Sequence, residues 1–311
     1  MIHKTIRLFE DKPEVTLTTY ILDDSKEMLN GKKRPAVIIN PGGAYLSLSD
    51  RETEPVAMQF AMMGYHAFVL RYSVYLPKEV SMMDFLMGKV ASAVCYNQNS
   101  LFPNPMIELG KAILTVKEHS EEWFVDTDKI ILCGFSAGAH NVAMYSTYWD
   151  KQIISNALHA SLDELKPAAV ILGYPLTDYV FMKTSMEHTA PELQQFFAMS
   201  NLAFTGKADP ADEMLKKLSP ARMVSENTPP TFLWATAEDH LVPVDHTLKM
   251  ALALKQKNIP FAVHIFENGE HGLSLATQAS SGDQNQMNDD VAQWITLVDK
   301  WLKKRFALQI S

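Results

Sequence analysis

Three short stretches carry side chains suited to acyl transfer. Gly134-Phe135-Ser136-Ala137-Gly138 places one serine between two glycines, directly after the apolar run Ile130-Ile131-Leu132-Cys133. Thr236-Ala237-Glu238-Asp239-His240 places carboxylates after a second apolar run, 231–235, and Gly269-Glu270-His271-Gly272 places a histidine between glycines after a third, 262–266. A serine hydroxyl needs a base within hydrogen-bond reach, an acid that orients the base, and N–H donors for the developing oxyanion. Ser136, Asp239 and His271 follow the order nucleophile, acid, base, each on the loop after its own expected strand. Gly134 and Gly138 have a steric reason to be there, because a strand that turns at once into a helix leaves no room for side chains beside the serine.

Other residues compete for these roles. His140 is one turn past the serine and is expected to pack or hydrogen-bond structurally. His240 sits on the acid's loop, and His246 at a helix start is expected at the surface or in a cap. Glu238 and Asp245 compete with Asp239, and Glu270 is expected to face solvent. For the oxyanion, one amide is expected from Ala137 and another from Gly42 or Gly43 in Asn40-Pro41-Gly42-Gly43-Ala44-Tyr45, which leaves the backbone open to a carbonyl oxygen. Tyr45, Ser47 and Ser49 are expected near the mouth of the site, with Tyr45 as a substrate contact.

The elements that must position these residues alternate between strand and helix. Residues 5–9 and 15–22 alternate apolar and polar side chains, as strands with one wet face do. The continuous apolar run at 36–39 reads as a strand buried on both faces, 67–70 and 130–133 as buried strands, and 168–172, 231–235 and 262–266 as three further strands. Helical spacing occupies 53–63, 106–124, 247–257 and 291–305. The pattern predicts one α/β domain over 1–311, with a mostly parallel sheet and helices on both faces. Two segments, near 75–105 and 178–227, are too long for bare connections. Both are rich in methionine and are expected to form cap insertions over the carboxyl edge of the sheet.

Composition narrows the partners. A chain of 311 residues with 47% hydrophobic and 21% charged residues can bury a large core. A net charge of −8 argues against nucleic acid and anionic membranes. No apolar run approaches transmembrane length, and the N-terminal residues lack a signal-peptide core. Two cysteines, Cys95 and Cys133, are too few for a disulfide framework and suit a reducing cytoplasm. His-Glu-x-x-His is absent, as are the glycine patterns of nucleotide sites, so neither a metal nor a cofactor is expected.

With these residues in hand, the chain resembles the α/β-hydrolase superfamily, and within it the acetyl esterase, acetylxylan esterase-like and hormone-sensitive-lipase-like carboxylesterases. The resemblance runs from Arg34 to the C-terminus. It rests on Asn40-Pro41-Gly42-Gly43-Ala44-Tyr45, the Ser136 pentapeptide, Asp239-His240-Leu241-Val242-Pro243 and Gly269-Glu270-His271-Gly272. Where hormone-sensitive-lipase-like members read His-Gly-Gly-Gly, this chain has Asn40 and Pro41, and its Pro-Gly-Gly form is more similar to the sugar-deacetylase-like branch. The resemblance implies cofactor-free hydrolysis of small carboxylic esters, short acyl groups foremost, by a cytoplasmic enzyme able to form a homodimer. Two other readings are carried: a serine peptidase of the prolyl-oligopeptidase type, against which the missing N-terminal propeller counts, and a non-catalytic binder on the same fold.

Overall fold

Continuous apolar runs in the middle of the sheet become strands with no wet face; the last, Phe261–Phe266, lies at the sheet's edge and is partly exposed, Ile265 most of all. In the computed structural model, which describes residues 1–90 and 96–308, every residue of Arg34–Asn40 is buried, as is every residue of Ala169–Gly173 and Thr231–Thr236. In chain order the strands are β1 (Thr5–Arg7), β2 (Thr16–Tyr20), β3 (Arg34–Asn40), β4 (His66–Arg71), β5 (Val125–Phe135), β6 (Ala169–Gly173), β7 (Thr231–Thr236) and β8 (Phe261–Phe266). They form one sheet in the order β1-β2-β4-β3-β5-β6-β7-β8. The pairings β1–β2 and β2–β4 are antiparallel, and all those from β4 to β8 are parallel.

The pleat divides the core into two layers. Ala36 and Ile38 of β3, with Ile130 and Leu132 of β5, face one side, where the helices Asn104–Glu118 and Ala137–Tyr148 pack. Val37, Ile39, Ile131 and Cys133 face the other, against Glu54–Met62 and Trp294–Phe306. Side chains alternating over both layers explain why these strands read as unbroken apolar runs. β5 begins at Val125, five residues before the apolar run, because Arg34 pairs with Val125 before the register shifts and Ala36 pairs with Ile130. Cys133 is buried, and burial pushes its thiol well above the usual range. Cys95 and part of the 75–105 segment lie outside the described residues.

In the order β4-β3-β5 the connection after β3 leads to β4 on one side of it, and the connection after β4 crosses back to β5 on the other, so the winding of the sheet switches at β3. In an open parallel sheet the loops at the carboxyl ends of two such strands splay apart and leave a crevice. The register Asn40↔Gly134 brings the 41–45 loop beside Ser136 at that crevice.

The two long segments meet each other. Residues 178–227 hold the helices Tyr179–Met186, Pro191–Thr205 and Asp212–Lys217. The described part of 75–105 holds Met82–Leu86 and a short turn at Gln98–Ser100. Ser100 Oγ donates to Ala203 O at 2.6 Å, and Phe102 N donates to Phe204 O at 2.8 Å. Both segments also pack against the layer that carries the Ser136 helix.

Candidate active site

Ser136 sits at the turn between β5 and Ala137–Tyr148 with φ 52° and ψ −120°, a conformation disfavoured for a residue with a side chain. Tight packing over-determines it. A Cβ on Gly134 would strike the carbonyl of Gly138, and one on Gly138 would strike the carbonyls of Asn40 and Pro41. The glycines therefore let the oxyanion-side loop lie directly against the start of the serine helix.

His271 comes from the loop after β8 and Asp239 from the loop after β7. His271 Nδ1 lies 2.6 Å from Asp239 Oδ2, and Nε2 lies 2.7 Å from Ser136 Oγ. Asp239 Oδ1 accepts from the amides of Leu241 at 3.0 Å and Val242 at 2.9 Å, which fixes the carboxylate. With Nδ1–H donated to a carboxylate, Nε2 carries the lone pair that can accept the serine proton. Glu238 and Asp245 are both exposed; Glu238 accepts from Gly269 N at 3.3 Å rather than from the imidazole. Glu270 is exposed, as the sequence suggested.

The glycine loop divides its duties. Gly43, Ala44 and Ala137 line the cavity over Ser136, whereas the N–H of Gly42 is committed to Glu52 Oε2 at 2.6 Å. Gly42 thus departs from the expectation: a buried carboxylate already holds its amide, and Gly43 and Ala44 are the loop residues that face the cavity. Gly43 has φ 130°, and a Cβ there would collide with the carbonyl of Ser47, so the loop requires glycine at this position.

Tyr45 also departs from its expected place at the mouth. It is 1% exposed and stacks on Phe204 with ring centroids 3.9 Å apart; its hydroxyl lies 2.7 Å from His140 Nδ1. Burial behind the loop removes it from the substrate's reach. His140 is fully buried, with Nε2 2.9 Å from Leu218 O, and burial lowers its pKa to about 4. His246 is buried rather than at the surface. Its Nδ1 accepts from the amides of Thr177 and Asp178, both at 3.2 Å, and burial lowers its pKa to about 3. Ser49 lines the cavity, while Ser47 Oγ is 3.9 Å from Met82 Sδ.

The cavity has a volume of about 190 Å³. Leu176, Leu241 and Val242 give it apolar walls, Ser49, Arg51 and Glu52 a polar side, and the covering segments add Met82, Tyr179, Phe196, Phe197 and Ser200. Tyr179 and Phe197 also line a neighbouring cavity of about 210 Å³, so these two rings form a partition. The sequence reading missed Glu52, Arg51, Phe196 and Phe197. A charged pair at a helix start and two phenylalanines in a helix carry no local mark of their distance from Ser136. An accepting imidazole beside a serine, a fixed carboxylate behind it and open backbone around it can support proton transfer and hold an oxyanion.

Sheet order, crevice and elbow define the α/β-hydrolase fold. More narrowly, the chain belongs to the BD-FAE family, whose model matches residues 90–254. The carboxylesterase Cest-2923 from Lactobacillus plantarum WCFS1 superposes with a TM-score of 0.76 at 28% identity, covering 100% of both chains. An acetyl ester-xyloside bifunctional hydrolase from Caldicellulosiruptor lactoaceticus gives 0.72 at 29% identity, covering 98% of this chain and 97% of that one. Endo-1,4-beta-xylanase B of Butyrivibrio fibrisolvens is 31% identical over 244 residues, which are 78% of this chain and 33% of that protein. The chain spans between 33% and 54% of the length of the curated relatives it matches. Among the described residues, no helix is long and apolar enough to cross a membrane.

Proposed function

We propose that this protein is a serine carboxylesterase that removes short acyl groups, acetyl foremost, from small polar alcohols such as sugars. The observation that carries the reading is the unbroken chain Asp239–His271–Ser136, with links of 2.6 and 2.7 Å, opening into a cavity of about 190 Å³. That volume lies below the roughly 300–1,000 Å³ of pockets for drug-sized ligands. Such a space suits a two- to four-carbon acyl group better than a fatty one. Support also comes from relatives described as an acetylxylan esterase and as an acetyl ester-xyloside hydrolase.

In the proposed reaction His271 Nε2 takes the Ser136 proton as Oγ attacks the ester carbon. The oxyanion lies against the amides of Ala137 and of Gly43 or Ala44, while Gly42 holds the loop in place. Asp239 orients the imidazole and stabilises its cation. His271 then gives its proton to the leaving alcohol, and water releases the acyl group by the same path reversed. The chain acts in this reading as one catalytic domain over 1–311 with 75–105 and 178–227 as its cover. Cytoplasmic operation and a homodimer belong to the proposal, and light scattering at working concentration tests the second.

The experiment is a series of p-nitrophenyl acetate, butyrate, octanoate and palmitate, run beside acetylated xylosides and aminoacyl-p-nitroanilides. kcat/KM should fall beyond about four carbons. Each methylene held in a long pocket would add about 0.8 kcal/mol, so a maximum at octanoate or beyond would refute the short-acyl reading. Turnover of the anilides alone would move the assignment to a peptidase.

A further inference from the structure

One buried carboxylate beside the site has no part in the proton transfers. Glu52 is 3% exposed and ends the short turn Asp50–Glu52. An ionised group in such a place is costly unless its oxygens are engaged. Both are: Oε2 accepts from the Gly42 amide at 2.6 Å, and Oε1 accepts from the Tyr174 hydroxyl, also at 2.6 Å. These partners belong to different parts of the site. Gly42 opens the glycine loop after β3, with Gly43 and Ala44 next in line. Tyr174 follows β6; its ring meets His271 edge-on at 4.9 Å, and its oxygen accepts from Ser274 N at 3.0 Å.

The neighbouring residue works on the same loop from the other side. Arg51 donates to Gly272 O at 2.9 Å and to Ser280 O at 2.6 Å, and its own carbonyl accepts from Ser274 Oγ at 2.7 Å. Gly272 and Ser274 flank the histidine by one and three residues. A single turn thereby joins the glycine loop and the histidine loop, which lie more than 200 residues apart in sequence.

We propose that Glu52 is a positioning residue for the reaction at Ser136: through Gly42 it fixes the oxyanion amides, and through Tyr174 it fixes the imidazole of His271, with Arg51 closing the same clamp. The proposal rests on the reading of Ser136 and His271 as nucleophile and base. The clamp sets two distances at once, that from serine to imidazole and that from the carbonyl oxygen to the loop amides. A displacement of about 1 Å in such a constellation can cost on the order of a hundredfold in rate.

The test compares Glu52→Gln, Glu52→Asp and Tyr174→Phe with the parent enzyme on p-nitrophenyl acetate, with Ser136→Ala as the reference. Glutamine keeps the shape but can accept at only one of the two positions, so kcat should drop roughly tenfold to a hundredfold while KM moves less than threefold. Glu52→Asp keeps both acceptor oxygens on a shorter stem and should recover only part of kcat. Tyr174→Phe keeps the ring on His271 and should lower kcat by severing one arm; it decides the matter even if the Glu52 variants do not fold. Parent kcat in Glu52→Gln, or in Tyr174→Phe, would overturn the clamp and leave the esterase reading standing. Turnover by Ser136→Ala would instead overturn the reading beneath it.

Discussion

The catalytic edge of the sheet and the helices that cover it are held by different forces. At the edge, loops after β3, β5, β6, β7 and β8 are joined by short polar contacts with defined partners, such as Asp239–His271, Glu52–Gly42 and Arg51–Gly272. The covering segments rest on apolar side chains, among them Met182, Met186, Phe197, Phe204 and Leu215, packed on the serine-helix layer, with a few polar ties such as Ser200 Oγ to Ala44 O at 2.9 Å. Hydrogen bonds fix direction, so the edge tolerates few residue types at each position. Apolar packing asks mainly for volume and shape, so the cover can vary while the chemistry beneath it stays constant. In the proposed reaction, the first region sets the reaction type and the second the substrate size.

The largest effects should come from the edge. Ser136→Ala should abolish turnover, by at least about 10⁴-fold in kcat/KM, with no change in thermal unfolding. Asp239→Asn should cost on the order of 10⁴ in kcat, as the same change does in a serine protease, because an amide favours the wrong tautomer of His271. Glu238→Gln and Asp245→Asn, whose side chains are exposed, should stay near the parent rate. If Glu238→Gln were the worst of the three, the acid would have to be reassigned and the ordering of the edge would fail.

A change in the cover should alter preference rather than chemistry. Phe197→Ala removes part of the partition to the cavity of about 210 Å³. The ratio of octanoate to acetate kcat/KM should rise by tenfold or more, with acetate within about threefold of the parent. An equal loss on all esters would mean that Phe197 supports the edge and that the two regions are not separable.

The smallest effect concerns the seam between the regions. His140 links Tyr45 to Leu218 O, and His246 accepts from Thr177 and Asp178. Their pKa values of about 4 and about 3 lie below the ordinary 6.5 because burial disfavours the cation. Between pH 6.5 and those values the unfolded chain binds protons that the folded chain refuses, so stability falls as pH is lowered through that window. From pH 6.5 to 5 the loss is on the order of 2 kcal/mol per histidine. Urea unfolding at pH 7 and pH 5 measures it, and hydrogen exchange should rise in 178–222 before it rises in β3 and β5. Equal protection of both regions at pH 5 would mean that the seam does not open first.

The same division governs what could be read from the sequence. Runs such as 36–39 and 168–172 announce strands because burial on both faces forces every side chain to be apolar, and Gly134 and Gly138 mark the turn through the space they leave. Asp239 and Glu238 are adjacent carboxylates, and spacing alone cannot say which points inward; the amides of Leu241 and Val242 decide it. Tyr45 comes just after Gly42-Gly43-Ala44 and reads like a residue of an open mouth, yet Phe204, distant in sequence, supplies the ring that covers it. Glu52 within Asp50-Arg51-Glu52 looks like the charged start of a surface helix. Its burial depends on Tyr174 and Gly42, contacts set by topology rather than by any local pattern. The partition of Tyr179 and Phe197 was hidden for the same reason.

The claim that Ser136 is the nucleophile of this edge is tested most directly by a fluorophosphonate probe followed by peptide mass mapping. A single adduct should appear on the peptide that contains Ser136, with ester turnover lost in proportion to labelling. An adduct on a different serine, or full turnover by protein labelled at Ser136, would contradict it.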